Sequence, residues 1–241
     1  MSGDDFDASV TGVATLAEPV RRALYRWVSA QPGPVNRDQA AEGVGVPRHV
    51  AKFHLDKLED EGLLEVEFRR PAGRAGPGAG RPAKLYRRSR RELAVTVPER
   101  RYELASRVLA QAITAARRDG VPIGEALRAA ATHEGRQHGA AARPLPGANA
   151  DRDAHPAAAL QVLADHGYEP RDDGQGGLLL GNCPFHALAK DSTELVCGMN
   201  LDLIGGLLDG LNEAKLEARL DPAPGRCCVV VRPRSTRKES P

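Results

Sequence analysis

Cys183, Cys197, Cys227 and Cys228 are the only cysteines of the 241-residue chain, and they sit in three separated segments. Thiolates and imidazole are the donors that soft and borderline metals prefer, so three or four of them suffice for zinc or an iron-sulfur cluster. Cys183 lies in Asn182-Cys183-Pro184-Phe185-His186, just after an apolar strand-like stretch, which puts His186 three residues beyond it. Cys197 follows 14 positions after Cys183, and Cys227-Cys228 leads into Val229-Val230-Val231. This is not the CxxC…CxxC spacing of a zinc ribbon. The competing reading is a set of buried structural thiols, since free cysteine is among the most buried residue types. For Cys228 that reading carries particular weight, because adjacent strand residues point to opposite faces and only one of the pair can reach a common site.

A cysteine and a histidine can also act as nucleophile and base, with Cys183 activated by His186. No orienting third residue or oxyanion site is marked, and the chain has no P-loop, dinucleotide fingerprint or HExxH motif. An enzyme is therefore not expected. His54 belongs to a packed helix, and His133, His138, His155 and His166 have no cysteine near them in sequence.

A second constellation lies between Asn36 and Arg91. Asn36 to Gly45 reads as a short helix with a tight turn around Gly43 to Gly45, and a second helix follows that opens with Pro47. In that helix Ala51, Leu55 and Leu58 recur at i, i+4 and i+7, a core-facing stripe that leaves Arg48, His49, Lys52 and Phe53 toward its N-terminal end. A recognition helix reads base edges with that end. Gly62 ends the helix, and Leu64-Glu65-Val66-Glu67-Phe68 alternates as a strand does. From Arg69 to Arg91 there are nine basic residues and no acidic one, among them Arg69, Arg70, Arg74, Arg81 and Lys84. Such a segment can lie along phosphates without repulsion. Lys84-Leu85-Tyr86-Arg87 is the expected returning strand, pairing with Leu64 to Phe68 to close a wing; the alternative is a solvated glycine- and proline-rich linker.

These sites need two different scaffolds. The net charge is only +2, so positive charge is local: residues 69–91 and the tail from Arg232 to Lys238. No stretch approaches 18 consecutive apolar residues, and the start Met1-Ser2-Gly3-Asp4-Asp5 has no apolar leader, so neither a membrane span nor a secretory signal is expected and the cytoplasm is the expected location. In that reducing compartment clustered thiols point to metal or redox chemistry before structural disulfides. The expected fold class is α+β: an N-terminal winged helix-turn-helix domain over residues 12–92, then a C-terminal α+β sensor and dimerisation domain over residues 97–233.

Within the first, residues 1–11 read as disordered, and Leu16 to Ala30 as the first helix, with Trp27 in the core. In the second, Pro98 to Arg118 reads as a helix whose Leu104, Val108 and Ile113 face is expected to form a dimer contact. Helices are also expected over 123–139, 156–166 and around 195–211, short strands near 168–170 and 177–181, and a last strand starting at Cys227-Cys228.

The run Val46-Pro47-Arg48-His49-Val50-Ala51-Lys52-Phe53-His54-Leu55-Asp56-Lys57-Leu58, with Gly62-Leu63-Leu64 and Gly80-Arg81-Pro82-Ala83-Lys84-Leu85-Tyr86, resembles the ArsR-type winged-helix regulators, particularly the SufR-like iron-sulfur branch. That resemblance implies a cytoplasmic bacterial transcription factor, a repressor, that binds double-stranded operator DNA as a homodimer. Gly181 to Val231 is similar to the C-terminal sensor of that branch, where three separated cysteines hold an iron-sulfur cluster and a non-cysteine group can complete the shell. The matching positions here are Cys183, Cys197 and Cys227. This chain departs in its Cys-Pro-Phe-His sequence, in a one-residue difference in the gap to Cys197, and in its doubled cysteine. Those departures leave His186 or Cys228 as the fourth ligand and zinc as the alternative metal. A regulator with structural zinc or structural cysteines that senses a small molecule is the alternative function.

Overall fold

The computed structural model describes residues 3–69, 82–143 and 154–234. The chain divides into two compact units, Met1–Val95 and Thr96–Pro241.

The first unit contains α1 (Gly3–Thr15), α2 (Pro19–Ser29), β1 (Val35–Asn36), α3 (Arg37–Val44), α4 (Arg48–Asp60), β2 (Leu64–Arg69) and β3 (Ala83–Arg88). Local chemistry sets most of these limits. Glu18 caps α2, its carboxylate accepting from the backbone of Val20 and Arg21, and Pro19 supplies the preset φ of a first helical residue. Asn36 and Gln39 form a reciprocal capping box on α3, with Asn36 Oδ1 accepting from Asp38 N and Gln39 N at 2.9 Å. Gly45, at φ 72°, makes the left-handed turn into α4. Gly43 is needed for a different reason: a Cβ there would overlap the Trp27 ring, which packs on the core.

The expected stripe is buried, with Ala51, Leu55 and Leu58 fully enclosed beside Leu24, Val28 and Ala40. The wing closes as anticipated. β2 and β3 pair antiparallel, with Val66 opposite Tyr86 and Phe68 opposite Lys84, and β1 adds to the far side of β3. One expectation fails here, since residues 3–11, read as disordered, belong to helix α1.

The second unit contains α5 (Tyr102–Asp119), α6 (Ile123–Ala141), α7 (Ala154–Asp165), β4 (Pro170–Asp172), β5 (Leu178–Leu180), α8 (His186–Asp191), α9 (Thr193–Leu211), β6 (Leu216–Leu220) and β7 (Val229–Pro233). Its sheet has the order β4-β5-β7-β6, all neighbours antiparallel. α9 is central to it. One core joins α7, α9 and the sheet through Leu163, Ile204, Leu208, Val229 and Val231. The other joins α5, α6 and α9 through Leu104, Val108, Ala131, Met199 and Leu203. A helix that is apolar on most of its circumference has to be buried on several sides.

α6 and α9 meet through glycines one turn apart on each helix. A Cβ on Gly135 or Gly139 would overlap the carbonyl oxygens of Leu203 or Leu207, and one on Gly206 or Gly210 those of Thr132 or Arg136. The backbones are thus in direct contact, at a separation that no larger residue permits.

Three sequence expectations change in this unit. Leu104 and Val108 are buried against the unit's own helices, so the proposed α5 dimer face is already covered; of the three residues named for it, Ile113 is exposed. β6 was not anticipated. The last strand begins at Val229, so Cys227 and Cys228 precede it and strand alternation does not govern them.

Candidate nucleic-acid interface and thiol cluster

Arg48, His49, Lys52 and Phe53 all lie exposed on the first turns of α4, and Phe53 keeps 64% of its surface in water. A cleft between α4 and the wing is lined by Arg48, Lys52, Asp56, Phe68, Lys84 and Tyr86. Two of its cations are paired within the protein: Arg48 Nε lies 2.5 Å from Asp38, and Lys52 Nζ lies 3.0 Å from Asp56. Such exposed pairs are each worth only about 0.2–1 kcal/mol, so an incoming phosphate can replace the carboxylate.

Lys84 is held differently. Its ammonium bridges Asp56, at 2.8 Å, and Glu59, while Tyr86 Oη donates to Asp56 at 2.8 Å. Burial pushes the Asp56 carboxyl up, but the hydrogen bonds from Lys84, Lys52 and Tyr86 outweigh it and hold the group at about 2. For Lys84, burial is likewise outweighed by Asp56 and Glu59, which raise it. The side chain anticipated on phosphates therefore fastens β3 to α4. Arg69 is exposed at the end of β2 and pairs with Glu67 at 2.6 Å. Arg70, Arg74 and Arg81 lie outside the described residues.

In the second unit the sheet brings the cysteines together. Cys227 N donates to Leu180 O at 2.8 Å, laying the segment before β7 beside the one after β5. Asn182, almost fully buried, fixes the Cys183 loop: its Nδ2 donates to Gly167 O at 2.6 Å and Glu99 O at 3.0 Å, and Arg100 Nη1 donates to its Oδ1 and to Cys183 O at 2.9 Å. Cys183 and Cys227 share a side-chain hydrogen bond, as do Cys197, from α9, and Cys228. Electrostatic coupling between Cys183 and Cys197 and between Cys227 and Cys228 joins both pairs into one group.

The environments of these sulfurs differ. The hydrogen bond from Cys227 lowers the Cys183 thiol to about 7 against the effect of burial, helped by Phe185 N–H and the Arg100 charge. Cys227 is the donor of that pair and is raised, with burial adding to the shift. Burial, then the contact with Cys228, raises Cys197 to about 12. Cys227 Sγ also accepts from Asn200 Nδ2 at 3.3 Å and Val229 N at 3.4 Å, and Asn200 Oδ1 accepts from Tyr168 Oη at 2.5 Å.

Four predicted donors are thus brought together. His186 is not among them in the same way; it is exposed at the start of α8, where its backbone N–H donates to Cys183 O at 3.1 Å. Among the described residues no three His, Cys, Asp or Glu side chains surround one point as a metal ion requires. Sequence reasoning missed Asn182, Tyr168 and Asn200. Asn200 left a signal, a lone amide one turn after Cys197 in a mostly apolar run.

Among the described residues no helix is long and apolar enough to cross a membrane. Comparison with curated proteins and with solved structures gives no match. Residues 16–67, spanning α2 through most of β2, match the family model of a helix-turn-helix domain, the kind of module that binds DNA.

Proposed function

We propose that the chain is a homodimeric transcriptional repressor, of the SufR-like kind, whose thiol cluster takes an iron-sulfur cluster and so sets affinity for operator DNA. One observation carries the sensor half: Cys183 and Cys227 come from distant segments, yet each sulfur accepts the backbone N–H two residues on, from Phe185 and Val229. N–H donors aimed at sulfur stabilise a thiolate ligand and tune a bound cluster.

The donor set fits such a group in kind, but the thiols do not surround one point, and the two pairs would have to rearrange to hold it. Cys183, Cys197 and Cys227 are the ligands in this reading. Cys228, already beside Cys197, is a better fourth than the exposed His186. Zinc is the alternative metal. A bound cluster would supply a redox- and oxygen-sensitive centre. A ligand changes operator occupancy only through its differential affinity for two states, and a typical coupling is about 1–3 kcal/mol.

In the DNA-binding half, Arg48, His49, Lys52 and Phe53 face the major groove, and Arg69 with the basic residues up to Arg81 lies along the backbone. The test is iron and acid-labile sulfide analysis of anaerobically purified protein with its visible spectrum, beside duplex selection from a random-sequence pool. Stoichiometric iron and sulfide, together with a two-fold consensus bound with different affinity after cluster loss, is the expected result. Protein without iron that selects the same duplexes would leave a plain helix-turn-helix regulator.

A further inference from the structure

The thiols stand as two pairs rather than around a common point, and that arrangement has chemistry of its own. Cys183 and Cys227 are both free, their side chains within hydrogen-bonding reach. Cys227 N donates to Leu180 O at 2.8 Å, three residues before Cys183, and Cys183 packs against the core cluster that contains Cys227. The two sulfurs also differ in access. Cys227 is 2% exposed and held by Asn200 Nδ2 and Val229 N, whereas Cys183 is half-buried on a loop beside the Arg100 guanidinium.

We propose that Cys183 and Cys227 form a hydroperoxide-reactive dithiol that closes to a reversible disulfide when no metal is bound. The Cys183 sulfur attacks the terminal oxygen of a hydroperoxide; an S–O bond forms, the O–O bond breaks, and the thiol proton leaves with the alcohol, or with water when the oxidant is hydrogen peroxide. The fixed Cys227 sulfur then attacks the sulfur of the Cys183 sulfenic acid. An S–S bond forms, the S–O bond breaks, and the departing hydroxide takes the Cys227 proton as water. Two thiols are oxidised and one hydroperoxide is reduced. The exposed partner meets the oxidant and the enclosed one resolves it, so oxidation stops at the disulfide.

This reaction does not depend on the cluster reading, because it belongs to protein without metal. Full-length chain, reduced and shown by elemental analysis to be metal-free, is treated with one equivalent of hydrogen peroxide. The expected result is loss of two of the four thiols, a peptide map joining Cys183 to Cys227, and recovery of both with dithiothreitol. Cys227→Ser should leave a Cys183 sulfenic acid that dimedone captures, and Cys228→Ser should not change the pairing. Four surviving thiols, a Cys197–Cys228 link in place of the proposed one, or overoxidised Cys183 beside free Cys227 in the wild-type chain would each overturn the proposal. The wild-type map decides this even if a variant fails to fold, and iron content in a separate preparation decides the cluster reading.

Discussion

Both units hold polar groups in networks, but the N-terminal network faces water and the C-terminal one is enclosed. Lys84, Asp56, Glu59 and Lys52 lie along a cleft open to solvent, with the enclosed Tyr86 behind them. Tyr168, Asn200 and Cys227 are each at most 2% exposed. Exposed pairs are weak and exchangeable, which would suit the proposed exchange of carboxylates for DNA phosphates. Enclosed groups cannot trade partners without leaving one unpaired, which suits a site where a sulfur must stay in position.

The largest expected effect tests how rigid the enclosed side is. Replacing mid-helix Gly206 with Ala should gain about 1 kcal/mol from helix propensity. The overlap of its Cβ with Thr132 O reverses the sign, and a larger residue, Gly206→Leu, should cost more than about 3 kcal/mol. Chemical denaturation should show the loss in the C-terminal unit, with DNA binding through α4 retained. A neutral Gly206→Leu would mean that the helices can separate freely.

Next is Asn200→Leu, which leaves Tyr168 Oη without its acceptor and should cost about 1–3 kcal/mol. The same substitution should alter the thiol reactivity of Cys227 more than that of Cys197, read by alkylation and mass spectrometry. Equal changes at both would indicate loosening of the whole core rather than loss of one hydrogen bond.

A smaller effect separates fastening from phosphate contact at Lys84. Lys84→Met should cost at most about 1 kcal/mol of stability, because the pair is a third exposed. If Lys84 fastens β3 to α4, DNA affinity falls while its salt dependence stays the same. A phosphate contact would instead flatten the log–log slope by about 0.9.

These three substitutions rest on features of unequal legibility. The helix-turn-helix could be read because its signals are local: the turn around Gly43 to Gly45, the Ala51, Leu55 and Leu58 stripe, and the alternation in β2. The kinds of donor in the thiol cluster could be read too, but their pairing could not. It depends on the β5–β7 alignment and on which face α9 turns to the sheet, neither of which is recorded near any one cysteine. The misplacing of Cys228 came from extending strand alternation two residues before the strand begins. The α5 dimer face failed because an apolar helix stripe looks the same whether its partner is another copy or the next helix. β6 did leave a signal, as Leu216-Glu217-Ala218-Arg219-Leu220 alternates, but it is short and flanked by polar residues.

Acid should separate the networks as well, and the units should respond in different ranges. Burial lowers His166 to about 4 despite its hydrogen bond to Val162 O at 2.7 Å. A base with a depressed folded pKa takes up its proton more readily when unfolded. The C-terminal unit should therefore lose stability as pH falls from about 6.5, the ordinary histidine value, toward 4. Asp56 is a carboxylate depressed to about 2, so its contribution is complete above about pH 4 and is lost as pH falls toward 2. Urea midpoints measured for each unit across this range should fall in that order. His166→Gln should remove the first slope only, and coincident slopes would erase the distinction between the networks.

The glycine contact between α6 and α9 also determines where movement can occur. α9 carries Cys197 and Asn200, and its backbone rests on that of α6 with no side chain between them to tilt or compress. It behaves as the fixed jaw of a vice. Cys227 is tied to that jaw through Asn200, so the distance needed to spread around a bound group or to close into a disulfide has to be covered chiefly by the loop of residues 181–185, which carries Cys183. A mechanical signal leaving this site therefore starts in that loop.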